Sequence, residues 1–284
     1  MVLPMTMIFA DEKDFDEKHN AIAKSMDLTD RAAGIHNASN ISLFFENYGK
    51  FSHDSFLYGD AGEFPANSNH NYLYLMSAMV GVAPDAASGR SANVIQSRYA
   101  TSTDWMPVGG YHQGPATDIA FSDNTATWPN AEWFFQDDEG EALIVSTQDS
   151  YCVYNDAGNQ NEVLGIQIAQ TGYAFGVSDF EDMIFFTFEV TNQSDVSYDS
   201  VYFGLYHDFD IGNDPYGVND YSDDMLGFDA ANNFIKVSDA DQSSLEWNGE
   251  PGMMGIVLLE TPQLNGNMAG ITDMHYGIFE DNDE

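Results

Sequence analysis

The chain has 284 residues, 43% of them hydrophobic and 14% aromatic, enough to bury a sizeable core and too apolar for a disordered polyelectrolyte. Its 46 Asp and Glu outnumber 8 Lys and Arg, for a formal net charge of −38. Affinity for nucleic-acid phosphates and for anionic membranes comes from Lys and Arg, so both partners are excluded. No run reaches the ~20 apolar residues a membrane helix needs, which excludes membrane insertion by a helix.

Met1 to Ala10 form a short apolar stretch followed abruptly by Asp11-Glu12-Lys13-Asp14. The pattern is that of the tail of a truncated signal segment and points to export. Residues 11–33 alternate in charge sign without Gly or Pro, as in a short helical or flexible lead-in. Residues 34–284 read as one β-domain. Short apolar and aromatic runs punctuated by Gly, Asn, Asp and Pro predict strands near 41–46, 72–80, 92–99, 141–147, 150–155, 163–175, 182–192, 199–208, 233–237 and 253–260. The runs 182–192 and 200–206 are rich in β-branched and aromatic residues, and Gln193-Ser194-Asp195 between them predicts an antiparallel hairpin.

With no long amphipathic helix, the expected fold is all-β, an antiparallel β-sandwich with long ordered loops. The longest loop is 100–140, where Trp105, Pro107, Gly109, Gly110, Trp128 and Pro129 follow no strand period. The single cysteine, Cys152, excludes an intrachain disulfide and reads as a small buried hydrophobe.

After Arg98 the only basic residue is Lys236, so carboxylates there are spread over the surface, screened by salt or held by cations. Seven of them, Asp208, Asp210, Asp214, Asp220, Asp223, Asp224 and Asp229, fall within residues 208–229. Hard cations such as Ca²⁺ take six to eight oxygen ligands from closely spaced carboxylates and carbonyls, and the Asp208-x-Asp210-x-Gly212 start lets alternate side chains converge at a turn. This loop is therefore a candidate Ca²⁺ site. It is not an EF-hand, because the glycine falls one position early and strands flank it. A second acidic run, Asp239-Ala240-Asp241 with Glu250, carries Ser244 where an EF-hand needs glycine and reads as coincidence.

Other chemistries leave weaker marks. His207, His70 and His112 lack metal-ligand spacing. Glu132, Asp137, Asp138, Glu139 and Glu141 offer carboxylate pairs, and Trp105, Trp128 and Trp133 offer rings for sugars. Nucleophile elbows, phosphate loops and zinc motifs are missing from the sequence.

Several segments in order, Asn47-Tyr48-Gly49-Lys50-Phe51, Glu63-Phe64-Pro65, the 148–156 run Gln-Asp-Ser-Tyr-Cys-Val-Tyr-Asn-Asp, the 208–229 loop, Pro251-Gly252 and Leu259-Glu260-Thr261-Pro262, resemble uncharacterised secreted proteins of marine and environmental bacteria. Those proteins often end in a type IX secretion sorting domain, absent here, which fits a chain truncated at its C-terminus. The resemblance implies a secreted or cell-surface location and carries no established activity. Three readings stand at this point. The leading one is a non-catalytic, calcium-stabilised surface, adhesion or structural module, with a glycan or another cell-surface protein as partner. The others are a polysaccharide-acting enzyme or carbohydrate-binding module, and an acidic domain adapted only to salt.

Overall fold

A computed structural model of the chain describes residues 30–52, 62–97, 104–109, 118–128, 136–140, 143–159, 161–212, 224–239, 247 and 251–275. Within them the protein is all-β, with antiparallel sheets and no α-helix. The expected lead-in lies, up to residue 29, outside the described residues.

The first sheet runs β1 (Ala33–His36), β2 (Leu43–Glu46), β3 (Lys50–Ser52), β4 (Leu73–Val82) and β11 (Val201–Phe209). β4 is long enough for β3 and β5 (Asn93–Ile95) to lie end to end along one edge, on Leu75–Ser77 and Val80–Val82, while β11 follows the other. The second sheet runs β10 (Ile184–Asn192), β9 (Ile166–Ala174) and β8 (Gln148–Asn155). β6 (Met106–Pro107) and β7 (Ala120–Phe121) share the far edge of β8. The 100–140 segment thus contributes two short strands rather than loop alone. A third sheet holds β12 (Asp224–Asp229), β13 (Phe234–Asp239) and β14 (Met253–Val257), and β15 (Gln263–Leu264) with β16 (Asn267–Met268) makes a small hairpin.

Period-two alternation turns Phe45, Phe51, Ala78 and Val80 of the first sheet toward Cys152, Tyr154, Ile168 and Phe188 of the second, and one continuous core fills the space between them. Met254 and Ile256 of β14 pack on the same core. β8 is buried along its whole length because its other face, Tyr151 and Val153, is covered by Ala120 and Trp128.

Two sequence expectations are corrected. Strands 182–192 and 200–206 exist as β10 and β11 but do not form a hairpin. β10 pairs with β9 and β11 with β4, so residues 193–200 cross from one sheet to the other. The strand expected at 141–147 is absent from its described part, 143–147. There the N–H groups of Val145 and Ser146 donate to the buried carboxylate of Asp149, at 2.6 and 2.8 Å, instead of entering a ladder.

Candidate metal centre

Alternation along β11 places Val201, Phe203, Leu205 and His207 on the core side, opposite Val82, Val80, Ala78 and Met76 of β4, and Asp208 on the other face. The register then shifts: Asp208 faces Leu75 but Phe209 faces Leu73, so Tyr74 is the extra residue of a bulge. A bulge bends the strand that carries the extra residue, so β4 bends beside the point where β11 ends. Here the chain leaves the sheet as Asp210-Ile211-Gly212. Asp210 and Ile211 are buried, and Ile211 packs with Tyr72, Val237 and Trp247. Gly212 has φ +94°, a conformation open to glycine at little cost.

The third sheet meets this turn with two carboxylates. Asp224, the first residue of β12, and Asp239, the last of β13, are register partners. The N–H of Ile211 donates to Asp224 Oδ2 at 3.3 Å. Asp239 Oδ2 stands 2.6 Å from where a Cβ on Gly212 would be, so Asp239 closes over the glycine. Two acids directly opposite on neighbouring strands repel each other, and both converge on the Ile211–Gly212 backbone. His207 does not offset their charge. Burial lowers its imidazole to about 4, its Nδ1 is enclosed with no hydrogen-bond partner among the described residues, and its ring stacks on Phe209 at 5.6 Å.

The seven expected ligands are therefore distributed unevenly. Asp210 and Asp224 sit at this junction, and Asp208 lies on the face of β11 turned from the core. Asp229 closes the β12–β13 turn by accepting hydrogen bonds from the N–H of Ala231 at 3.0 Å and from Asn232 Nδ2 at 2.7 Å. It stands at the far end of β12, about 17 Å from Asp224 at the rise of an extended strand, so the structure does not bring it to the others. Asp214, Asp220 and Asp223 lie outside the described residues. Among the described residues, no three His, Cys, Asp or Glu side chains form a metal-holding group. Sequence reasoning missed Asp239, dismissed with the second acidic run. The usable signal was its place two residues beyond the predicted strand 233–237.

The remaining candidates resolve into structural roles where they are described. Trp105 is fully buried, its ring edge-on to Tyr154 and its Nε1 donating to Ala78 O at 2.8 Å. Trp128 is buried against Tyr151 and Val153. Neither presents a face to a sugar. Cys152 is buried in the main core, and burial raises its thiol pKa. His70 stacks on Trp247 at 4.5 Å. Asp137, Asp138 and Glu139 belong to an exposed turn in which Asp137 accepts from the N–H of Glu139 at 3.0 Å. His112, Glu132, Trp133, Glu141, Asp241 and Glu250 lie outside the described residues. No helix among the described residues is long and apolar enough to cross a membrane.

No family model, curated protein or solved structure matches the chain.

Proposed function

We propose that the chain is a non-catalytic extracellular β-module, a surface, adhesion or structural domain, in which Ca²⁺ ties the end of β11 to the β12–β13 hairpin. The observation that carries this reading is the convergence of Asp224 and Asp239 on the Ile211–Gly212 turn. Oxygen-rich ligand sets of carboxylates and backbone carbonyls suit a hard divalent cation, and a cation between facing acids turns their repulsion into a tether. Asp210 adjoins the turn, and Asp214, Asp220 and Asp223 are the sequence's further candidates. Export rests on the composition and on the resemblance to secreted proteins, and a glycan or cell-surface protein remains the proposed partner.

Thermal unfolding in EDTA, in millimolar CaCl₂ and across a range of NaCl tests the reading. A cation that binds only the folded state adds about 2.7 kcal/mol at a hundredfold excess over its Kd. The expected result is a sharp rise of the midpoint with calcium that is lost in Asp224→Asn/Asp239→Asn. A calcium effect equal in that variant overturns the site. A rise with NaCl alone favours salt adaptation. The carbohydrate reading gains no support from Trp105 and Trp128, both buried.

A further inference from the structure

β12 is an edge strand: β13 occupies one side, and among the described residues no strand pairs with the other. Natural edges are guarded by Pro, Lys, bulges or covering loops, because their free N–H and C=O groups template pairing. The centre of β12, Met225-Leu226-Gly227-Phe228, has neither Pro nor a basic residue, and its register on β13 runs unbroken from Asp224↔Asp239 to Asp229↔Phe234. Lys236 of β13 lies across Gly227 on one face, and apolar side chains are exposed on both. Met225 is 50% exposed on one face, and Leu226 and Phe228 are 41% and 40% exposed on the other. An added strand would cover these side chains with cross-strand partners.

Charge decides between occupants. A second copy paired antiparallel about a two-fold axis over 224–229 would set Asp224 opposite the other copy's Asp229 at both ends, and would join two bodies of net charge −38. A strand with an apolar centre flanked by Lys or Arg reverses both effects. We propose that the outer edge of β12 docks an extended segment of a partner protein, with basic residues flanking an apolar centre, as a fourth strand of this sheet. Main-chain hydrogen bonds would hold it, and alternate side chains would select it. The inference goes beyond the cation reading and uses no bound metal.

The test titrates the full chain, in CaCl₂ and separately in EDTA, at about 0.15 M NaCl where long-range attraction is screened, with the blocked peptide Lys-Val-Thr-Val-Thr-Val-Lys, following amide hydrogen exchange. The expected result is saturable binding that slows exchange in 224–229. Met225→Asp, and separately Leu226→Asp/Phe228→Asp, should weaken binding by roughly tenfold or more, although each adds negative charge that attracts a basic peptide. Binding that is unchanged or tighter in these variants means bulk charge alone and overturns the proposal. So does no binding, or protection confined to other strands. Should the double variant fail to fold, Met225→Asp, on the outward face, decides alone. A dimer that sedimentation detects and Met225→Asp dissolves would make the occupant a second copy and also overturn it.

Discussion

His36 Nε2 accepts a hydrogen bond from Ser150 Oγ at 2.8 Å, joining the first strand of one sheet to the middle of the facing one. The tautomer is set by Gln148. Its amide nitrogen donates to Asp123 Oδ2 at 3.0 Å and to Asn37 Oδ1 at 3.3 Å, so its Oε1 faces His36 Nδ1 at 3.2 Å and Nδ1 must donate. The polarity is that of a nucleophile, a base and an orienting group, yet all three side chains are buried within the sandwich. The arrangement therefore serves as a sheet-to-sheet lock.

That lock predicts acid sensitivity. Burial lowers the His36 imidazole from 6.5 to about 4. Its contribution to stability is fully present above pH 6.5 and is lost as pH falls toward 4, by roughly 3 kcal/mol over the window. Asp156 works in the opposite sense. Burial raises its carboxyl from 3.8 to about 6 even though the N–H groups of Gly165 and Ile166 donate to it at 3.0 Å, so it favours the folded state as pH falls below 6. Between pH 6 and 4 the His36 and Asp156 slopes offset each other, and His207, also lowered to about 4 by burial, adds a second slope of the His36 sign, so denaturant unfolding at stepped pH should show stability decreasing between 6.5 and 4. His36→Gln should be less stable at neutral pH and shallower in this window by up to about 1.4 kcal/mol per pH unit. An identical slope in the variant would remove His36 as its source.

Gly172 is the floor of the same lock. A Cβ there would clash with His36 Nε2 and stand 2.7 Å from Ser150 Oγ and 2.8 Å from the Phe186 ring. Gly172→Ala should cost about 1–3 kcal/mol through overpacking. In His36→Ala the added methyl gains room, so the double variant should be more stable than the sum of the single changes implies, by about 0.5–3 kcal/mol in a double-mutant cycle. Strict additivity would show that the methyl is accommodated elsewhere.

The strands that were legible in sequence are those whose side chains carry the whole signal. β10 is β-branched or aromatic at seven of its nine residues, and β4 is apolar over most of its ten. Which strands pair was not legible for β11, because its partner β4 lies about 120 residues earlier and the choice between sheets depends on burial rather than on the turn chemistry of 193–195. β12 was hidden by its own composition. Asp224, Gly227 and Asp229 interrupt its apolar residues, and an acidic stretch reads as ligands before it reads as an edge strand. Likewise Asp239 matters only because tertiary structure sets it over Gly212, at the far end of β13 from the β12–β13 turn.

Cys152 offers a probe of the core. Its thiol lies between the sheets, and burial raises its pKa, so the reactive thiolate is scarce in the folded protein. Labelling by a thiol-disulfide reagent should be negligible under native conditions and become complete on denaturation, at a rate set by unfolding. Rapid native labelling would contradict the placement of β8 at the centre of the sandwich.

Gly212 tests whether the junction of β11 with the third sheet is held by shape as well as by charge. Its φ of +94° disfavours any side chain, and a methyl would meet Asp239 Oδ2 at 2.6 Å. Gly212→Ala should therefore destabilise by more than the roughly 1 kcal/mol typical of a left-handed position alone. It should also displace the Asp239 carboxylate and blunt the calcium-induced rise in midpoint. Gly212→Ala combined with Asp239→Asn separates the two effects, since Asn keeps the steric conflict and removes the charge. If the combined variant is as unstable as Gly212→Ala and equally unresponsive to calcium, the methyl acts through shape and the Asp239 carboxylate holds the cation. If Gly212→Ala keeps the full calcium response while losing stability, the turn is structural only and the cation binds elsewhere.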